Sequence, residues 1–196
     1  MSGHEIKASN MLSASTKPYT SHPISVVAYQ KMVDAGILSF DGRVELIEGE
    51  IIDMAPIGSK HVSYVNRLTR ELVQAVGDSA LVSVQNPVIL GALSEPEPDF
   101  AILKSKVNDY EDSLPKAEDI LLLIEVADTT LAYDKQIKAP LYARFCIAEY
   151  WLLDIQNSCV TVFQKPIDGQ FTITKTHMLP INFAPLLLPN IQLELK

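Results

Sequence analysis

Residues 121–155 read LLLIEVADTTLAYDKQIKAPLYARFCIAEYWLLDI. Leu121 to Ile124 is an unbroken aliphatic run of strand length, the pattern of a strand covered on both faces. The carboxylate of Glu125 ends that run, and the polar turn Asp128-Thr129-Thr130 follows. A helical stretch then carries Lys135, Lys138 and Arg144, and Tyr150-Trp151-Leu152-Leu153 reads as a second buried strand. The segment is therefore expected to be strand, helix, strand, with an acid at the tip of the first strand and lysines in the helix. An ionised carboxylate at the edge of an aliphatic strand is costly unless something compensates it. A hydrogen-bonded turn, an ion pair or a metal ion would do so. The structural alternative to a functional Glu125 is a pairing with Lys135 or Lys138, or a cap on the next helix.

Composition sets the outer bounds. The chain has 196 residues, 47% of them hydrophobic, which is enough for one domain with a real core. Residues 1–21 are Ser/Thr-rich without a sustained period and read as a mobile tail. Residues 22–196 read as one domain. The two cysteines, Cys146 and Cys159, lie in apolar contexts without metal-ligand spacing, the pattern of buried free thiols in a reducing cytoplasm. No apolar run reaches transmembrane length and no signal-peptide pattern opens the chain, so a soluble cytoplasmic protein without membrane association is expected. A formal net charge of −8 argues against broad, non-specific nucleic-acid binding. A local groove around an active site is compatible with it.

Upstream, a short helix is expected from Pro23, ended by Gly36. Residues 43–54, RVELIEGEIIDM, alternate on either side of Glu48-Gly49 and read as a hairpin with Glu45 and Glu50 on its two arms. Solvent-facing strand carboxylates are the plain reading of both. From about Lys60 to Val76 an apolar stripe at helical spacing predicts a long helix, with Ser59 as its cap and His61 in its first turn. Residues 81–90 form the next strand region, where Pro87 suggests an edge or bend. Asp99 then stands at the entry of a buried strand, after Pro96 and Pro98. A hairpin around Asp168-Gly169 and an apolar terminal segment complete the chain.

Asp99 and Glu125 lie on separate strands. If those strands are neighbours, both carboxylates reach one point. Two hard oxygen ligands suit Mg²⁺ or Mn²⁺, ions that keep several waters and accept a phosphate oxygen. Such an ion lowers the pKa of a bound water and polarises a phosphoryl group, and a nearby lysine steadies the developing charge.

The segments RVELIEGEIIDM, EPDFAIL and 121–155, in that order, resemble the Uma-two family of restriction endonucleases, within the PD-(D/E)XK nuclease superfamily. The resemblance covers residues 23–196. It implies a restriction-endonuclease-like α/β fold, a central mixed β-sheet flanked by α-helices, with an additional N-terminal hairpin. It implies a Mg²⁺- or Mn²⁺-dependent endonuclease with DNA as substrate. Pro98-Asp99 matches the PD element and Glu125 the second acid, so Asp99 and Glu125 would be metal ligands and catalytic. The superfamily's lysine position two residues after that acid is Ala127 here. The resemblance moves the lysine onto the following helix, where Lys138 matches best and shares a face with Tyr142; Lys135 is the second candidate. Pro140 predicts a kink there or a late helix start. Glu45 matches the glutamate of the family's hairpin, with Glu50 and His61 as weaker matches. The family's Ser-Pro-Ser after the acid is replaced by Asp128-Thr129-Thr130.

Two other readings stand beside the nuclease: a catalytically inactive nuclease-fold module for binding or assembly, and a metal-dependent hydrolase of another phosphate-containing substrate. A homodimer would supply two sites for two strands.

Overall fold

Residues 120–154 fold as a strand–helix–strand unit at the centre of a six-stranded sheet. The computed structural model describes residues 21–38 and 43–196. In chain order the elements are α1 (Val26–Asp34), β1 (Val44–Ile47), β2 (Glu50–Asp53), α2 (Ser59–Val76), β3 (Leu81–Val84), β4 (Phe100–Leu103), β5 (Ile120–Ala127) and α3 (Leu131–Tyr133). A π-helical turn (Asp134–Lys138) leads into α4 (Ala139–Arg144), followed by β6 (Glu149–Asp154), β7 (Cys159–Ile167), β8 (Gln170–Met178), β9 (Ile181–Phe183) and β10 (Leu193–Leu195). The expected tail, apart from Ser21, lies outside the described residues.

The main sheet has the order β3-β4-β5-β6-β7-β8. Only β5 and β6 run parallel; the other neighbours are antiparallel. A parallel pair cannot be joined by a tight turn, so its connection must cross a face of the sheet. Residues 131–144 make that crossover, and α2 covers the opposite face. Along β5, Leu122, Ile124 and Val126 pack with Leu68 and Leu72 of α2, whereas Leu123 and Ala127 pack with Leu141 and Tyr142 of α4. Both faces are covered, which is why the strand reads as a continuous aliphatic run. Glu125 has the parity of Leu123 and Ala127 and so points to the crossover side.

The N-terminal hairpin is a separate two-stranded sheet. Glu48 (φ 50) and Gly49 (φ 82) both adopt positive φ, the requirement of a tight I′ turn. A Cβ on Gly49 would meet Pro23 Cβ at 2.5 Å, so the turn also depends on close backbone approach. Leu46 exchanges two main-chain hydrogen bonds with Glu95, which ties the hairpin to the segment leading into β4. α1 packs on it through Val26, Tyr29 and Leu46.

Several local expectations are corrected. Helix α1 begins at Val26, where Ser25 Oγ accepts from Ala28 N–H at 3.2 Å; Pro23 precedes it. Ser59 is the first residue of α2, and Gly58 stands at the cap without a side-chain hydrogen bond. Cys146 is exposed and Cys159 half-buried, so neither is a core thiol, and they do not pair. Cys146 adopts φ 57 just past the end of α4, and this turn carries its side chain away from the core. At Pro140 the helix widens instead of breaking. Proline offers no N–H to the carbonyl four residues back, and Ala139 N–H reaches Asp134 O, five residues back. The terminal segment forms the small β9–β10 ladder, and Ile191, Leu193 and Leu195 close the α2 side of the core.

Tyr150 on β6 lies between Tyr142, edge-on at 5.0 Å, and Phe163, stacked at 5.3 Å. Its hydroxyl is buried and has no hydrogen-bond partner among the described residues. An orphaned buried donor costs about 1–3 kcal/mol. Tyr150→Phe keeps the ring packing and removes the orphan, so urea unfolding should show a gain of about 1 kcal/mol. A loss of stability would show that the hydroxyl is bonded after all.

Candidate active site

The register of β4 on β5 decides which acids meet. Phe100 pairs with Ile124 and Ala101 with Leu123, so one step further Asp99 stands opposite Glu125, with both side chains on one face. Beyond the last ladder pair, the carboxylates replace carbonyls as acceptors. Asp99 N–H donates to Glu125 Oε2 at 3.2 Å, and Val126 N–H donates to Asp99 Oδ2 at 2.9 Å. Each acid therefore holds a main-chain N–H of the other acid's strand.

The crossover supplies the cation. Lys138 closes the π-helical turn, and Tyr142 lies four residues on, on the same helix face. Lys138 Nζ donates to Glu125 Oε1 at 2.9 Å, and Tyr142 OH donates to the same oxygen at 2.8 Å. Lys138 Nζ is also 3.3 Å from Glu45 Oε2 on β1. Glu45 accepts further bonds from Tyr133 OH at 2.9 Å and Glu97 N–H at 3.2 Å. On the other side, Asp99 Oδ1 is 2.9 Å from His61 Nε2 and accepts from Gln85 Nε2 at 3.1 Å. Of these, Glu45, His61, Asp99, Glu125, Tyr133 and Lys138 line a cavity of about 370 Å³ between the hairpin, the start of α2 and the crossover.

Charge and burial compete at each group. Burial pushes the Asp99 carboxyl up, but the His61 bond and charge, the Val126 N–H and the Gln85 amide outweigh it and hold Asp99 below the usual carboxylate range. His61 is held above its ordinary value, first by its hydrogen bond to Asp99, against burial. Burial pulls Lys138 down, yet Glu125, Glu45 and Asp134 overcome it and keep the ammonium charged. Glu125 is raised, first by burial and then by Asp134 and Asp99, with Lys138 opposing.

The structure thus brings together Asp99, Glu125, Lys138, Glu45 and His61 from separate elements. Glu50 and Lys135 are not among them. Glu50 pairs with Ile47 at the turn end of the hairpin, on the same face as Glu45, but it is exposed and outside the cavity lining. Lys135 is exposed on the outer side of the π turn. The sequence reading missed Gln85, Tyr133 and Asp134. Gln85 adopts φ 50 and donates its N–H to Asp99 O at 3.0 Å, a conformation no local pattern announces. Tyr133 and Asp134 lie within the quoted stretch, one helical turn ahead of Lys138, and that spacing was the available signal.

Asp99 Oδ2 and Glu125 Oε2 each accept one hydrogen bond among the described residues, so each keeps lone-pair capacity toward the cavity. Their hard oxygens fit Mg²⁺ or Mn²⁺ chemically. Among the described residues no three His, Cys, Asp or Glu side chains converge as a ligand group. The protein would therefore supply two ligands, leaving the rest to water or phosphate, which is the habit of Mg²⁺.

Residues 29–196 match the Uma2 family, described as "Putative restriction endonuclease". Among solved structures, the chain resembles a "putative nuclease belonging to DUF820" from Anabaena variabilis ATCC 29413. The TM-score is 0.67 at 19% identity, over 88% of this chain and 95% of that one, a likeness of fold. No curated protein matches the chain.

The His61–Asp99 pair gives a pH test. His61 is raised above its unfolded value of about 6.5. The His61 contribution is therefore fully present below about 6.5 and lost as pH rises through the folded value, while the Asp99 contribution, from a lowered carboxyl, is lost as pH falls through its own folded value. Ring-proton NMR should place His61 above 6.5, and Asp99→Asn should carry it below, because burial persists without the carboxylate. An unchanged titration in the variant would refute the pairing.

Proposed function

The chain belongs to the Uma2 family, and from that premise we propose that it is a divalent-metal-dependent endonuclease that hydrolyses phosphodiester bonds in DNA, using Mg²⁺ or Mn²⁺. The observation that carries this reading is the reciprocal pairing of Asp99 and Glu125 with Lys138 Nζ 2.9 Å from Glu125, in the wall of one cavity. Family and fold support a nuclease role.

Asp99 and Glu125 would hold the ion. Bound there, it would acidify a water and polarise the phosphate, and it would offset the carboxylates that otherwise repel a polyanion. The chain's own groups set the geometry around it. His61 and Gln85 fix the Asp99 carboxylate, and Tyr142 fixes Glu125. Glu45, itself anchored by Tyr133 and the Glu97 N–H, holds Lys138 from the opposite side. Lys138 remains protonated, so its part is to donate a hydrogen bond to the attacking water or to a phosphate oxygen as charge develops, not to take a proton. A cytoplasmic location belongs with this reading and is supported by the two unpaired cysteines. So does a homodimer, which would present one site to each strand of a duplex.

One observation favours a second reading. Lys138, Glu125 and Tyr142 already satisfy one another, as in a structural ion pair inside an inactive nuclease-fold module.

The test is Mn²⁺ binding by electron paramagnetic resonance, together with nicking of supercoiled plasmid. Mn²⁺ binding should vanish in Asp99→Ala and in Glu125→Ala. Cleavage should require the ion and fall about 10²–10³-fold in Lys138→Ala. That variant exposes two unpaired buried acids and should lose about 3–5 kcal/mol of stability, so rates belong below its melting temperature. Metal binding without cleavage of any DNA would favour the inactive module, or a smaller phosphate-containing substrate.

A further inference from the structure

Hydrolysis needs a proton acceptor, and most cavity groups are committed elsewhere. Lys138 is held charged. Asp99 and Glu125 are the proposed ligands. Glu45 already accepts from Tyr133, Glu97 N–H and Lys138.

Asp134 differs. It opens the π-helical turn four residues before Lys138. In a regular α-helix that spacing would set the two charges face to face. The inserted residue of the π turn redirects Lys138 to Glu125 and Glu45, and Asp134 forms no ion pair among the described residues. Asp134 is 4% exposed, lines the cavity, and its carboxylate takes one hydrogen bond, from Thr130 Oγ1 at 2.6 Å.

We infer that Asp134, oriented by Thr130, is the catalytic base that takes the proton of the attacking water. This rests on the nuclease reading. A water O–H bond breaks and its proton passes to an Asp134 oxygen. The freed electron pair forms the new O–P bond, and the P–O bond to the departing sugar oxygen breaks with its own pair. That oxygen takes a proton from solvent, and Asp134 later returns its proton to solvent. The groups facing Asp134 are Lys138 and Thr130 from its own segment, Asp99 before β4, Glu45 from β1, Glu125 from β5 and Tyr150 from β6. Burial first, then Asp99 and Glu45, push its carboxyl up to about 6, with Lys138 and Thr130 restraining the rise. A carboxylate of that strength is ionised near neutrality and takes a proton more readily than an ordinary one.

Single-turnover plasmid cleavage at saturating Mn²⁺, from about pH 5 to about pH 8, tests this. Wild-type rates should climb with pH and then level off. Asp134→Asn should be slower by about 10²-fold and lose the climb while binding Mn²⁺ normally, and Asp134→Glu should recover part of the rate. Stability gives a readout free of catalysis. Because the folded value is raised, the Asp134 contribution is present below the unfolded value, about 3.9, and lost as pH rises through about 6. Asp134→Asn should therefore gain on wild type across that interval in urea melts. If the variant keeps the climb, gains nothing in stability, or loses Mn²⁺ affinity in step with rate, the assignment falls and the nuclease reading stands. If wild type cleaves nothing at any pH, both fall.

Discussion

Two carboxylates held side by side at the edge of an apolar sheet are the constraint around which this protein is built. Left alone, Asp99 and Glu125 would repel each other and suffer the loss of hydration that burial brings. The fold answers with two main-chain N–H groups, one from each strand. It adds His61 and Gln85 on Asp99, and Lys138 and Tyr142 on Glu125. His61, Gln85 and the Lys138–Tyr142 pair come from three different parts of the chain. The start of α2, the β3 exit and the crossover all bond to the same pair of acids, and the hairpin joins them through the contact of Glu45 with Lys138.

Much of this was readable before any coordinates. Leu121 to Ile124 announces a strand covered on both faces because the aliphatic run is unbroken and of strand length, and Glu125 stands out against it. Asp99 is marked by two prolines that delay strand entry. Lys138 was separable from Lys135 through Tyr142, since residues four apart share a helix face. The hairpin around Glu48-Gly49 was legible from its two alternating arms, and the positive φ of both turn residues makes the turn type I′.

What escaped is equally specific. A two-residue hairpin turn puts Glu45 and Glu50 on one face, and only the distance from the turn tells which of them reaches the cavity. Gln85 works from a positive-φ position that sequence periodicity does not register. Pro140 forecast a disturbance but not its form. The form is a π turn over Asp134–Lys138, after which α4 starts at Ala139 with Pro140 in its first turn, and Asp134 and Lys138 make no ion pair. Cys146 lies among apolar neighbours in sequence, yet its left-handed backbone turns it outward.

The contact between Lys138 and Glu45 joins the crossover to the hairpin near the other end of the described chain. Closing so long a loop costs entropy that is recovered only when the intervening sheet has assembled. No local piece of the polypeptide carries the whole charge arrangement: Glu125, Asp134 and Lys138 share one stretch, while Glu45, His61 and Asp99 come from elsewhere. A nascent or partly unfolded chain would thus hold scattered acids and a solvated lysine, and the chemistry would arise only together with the completed topology.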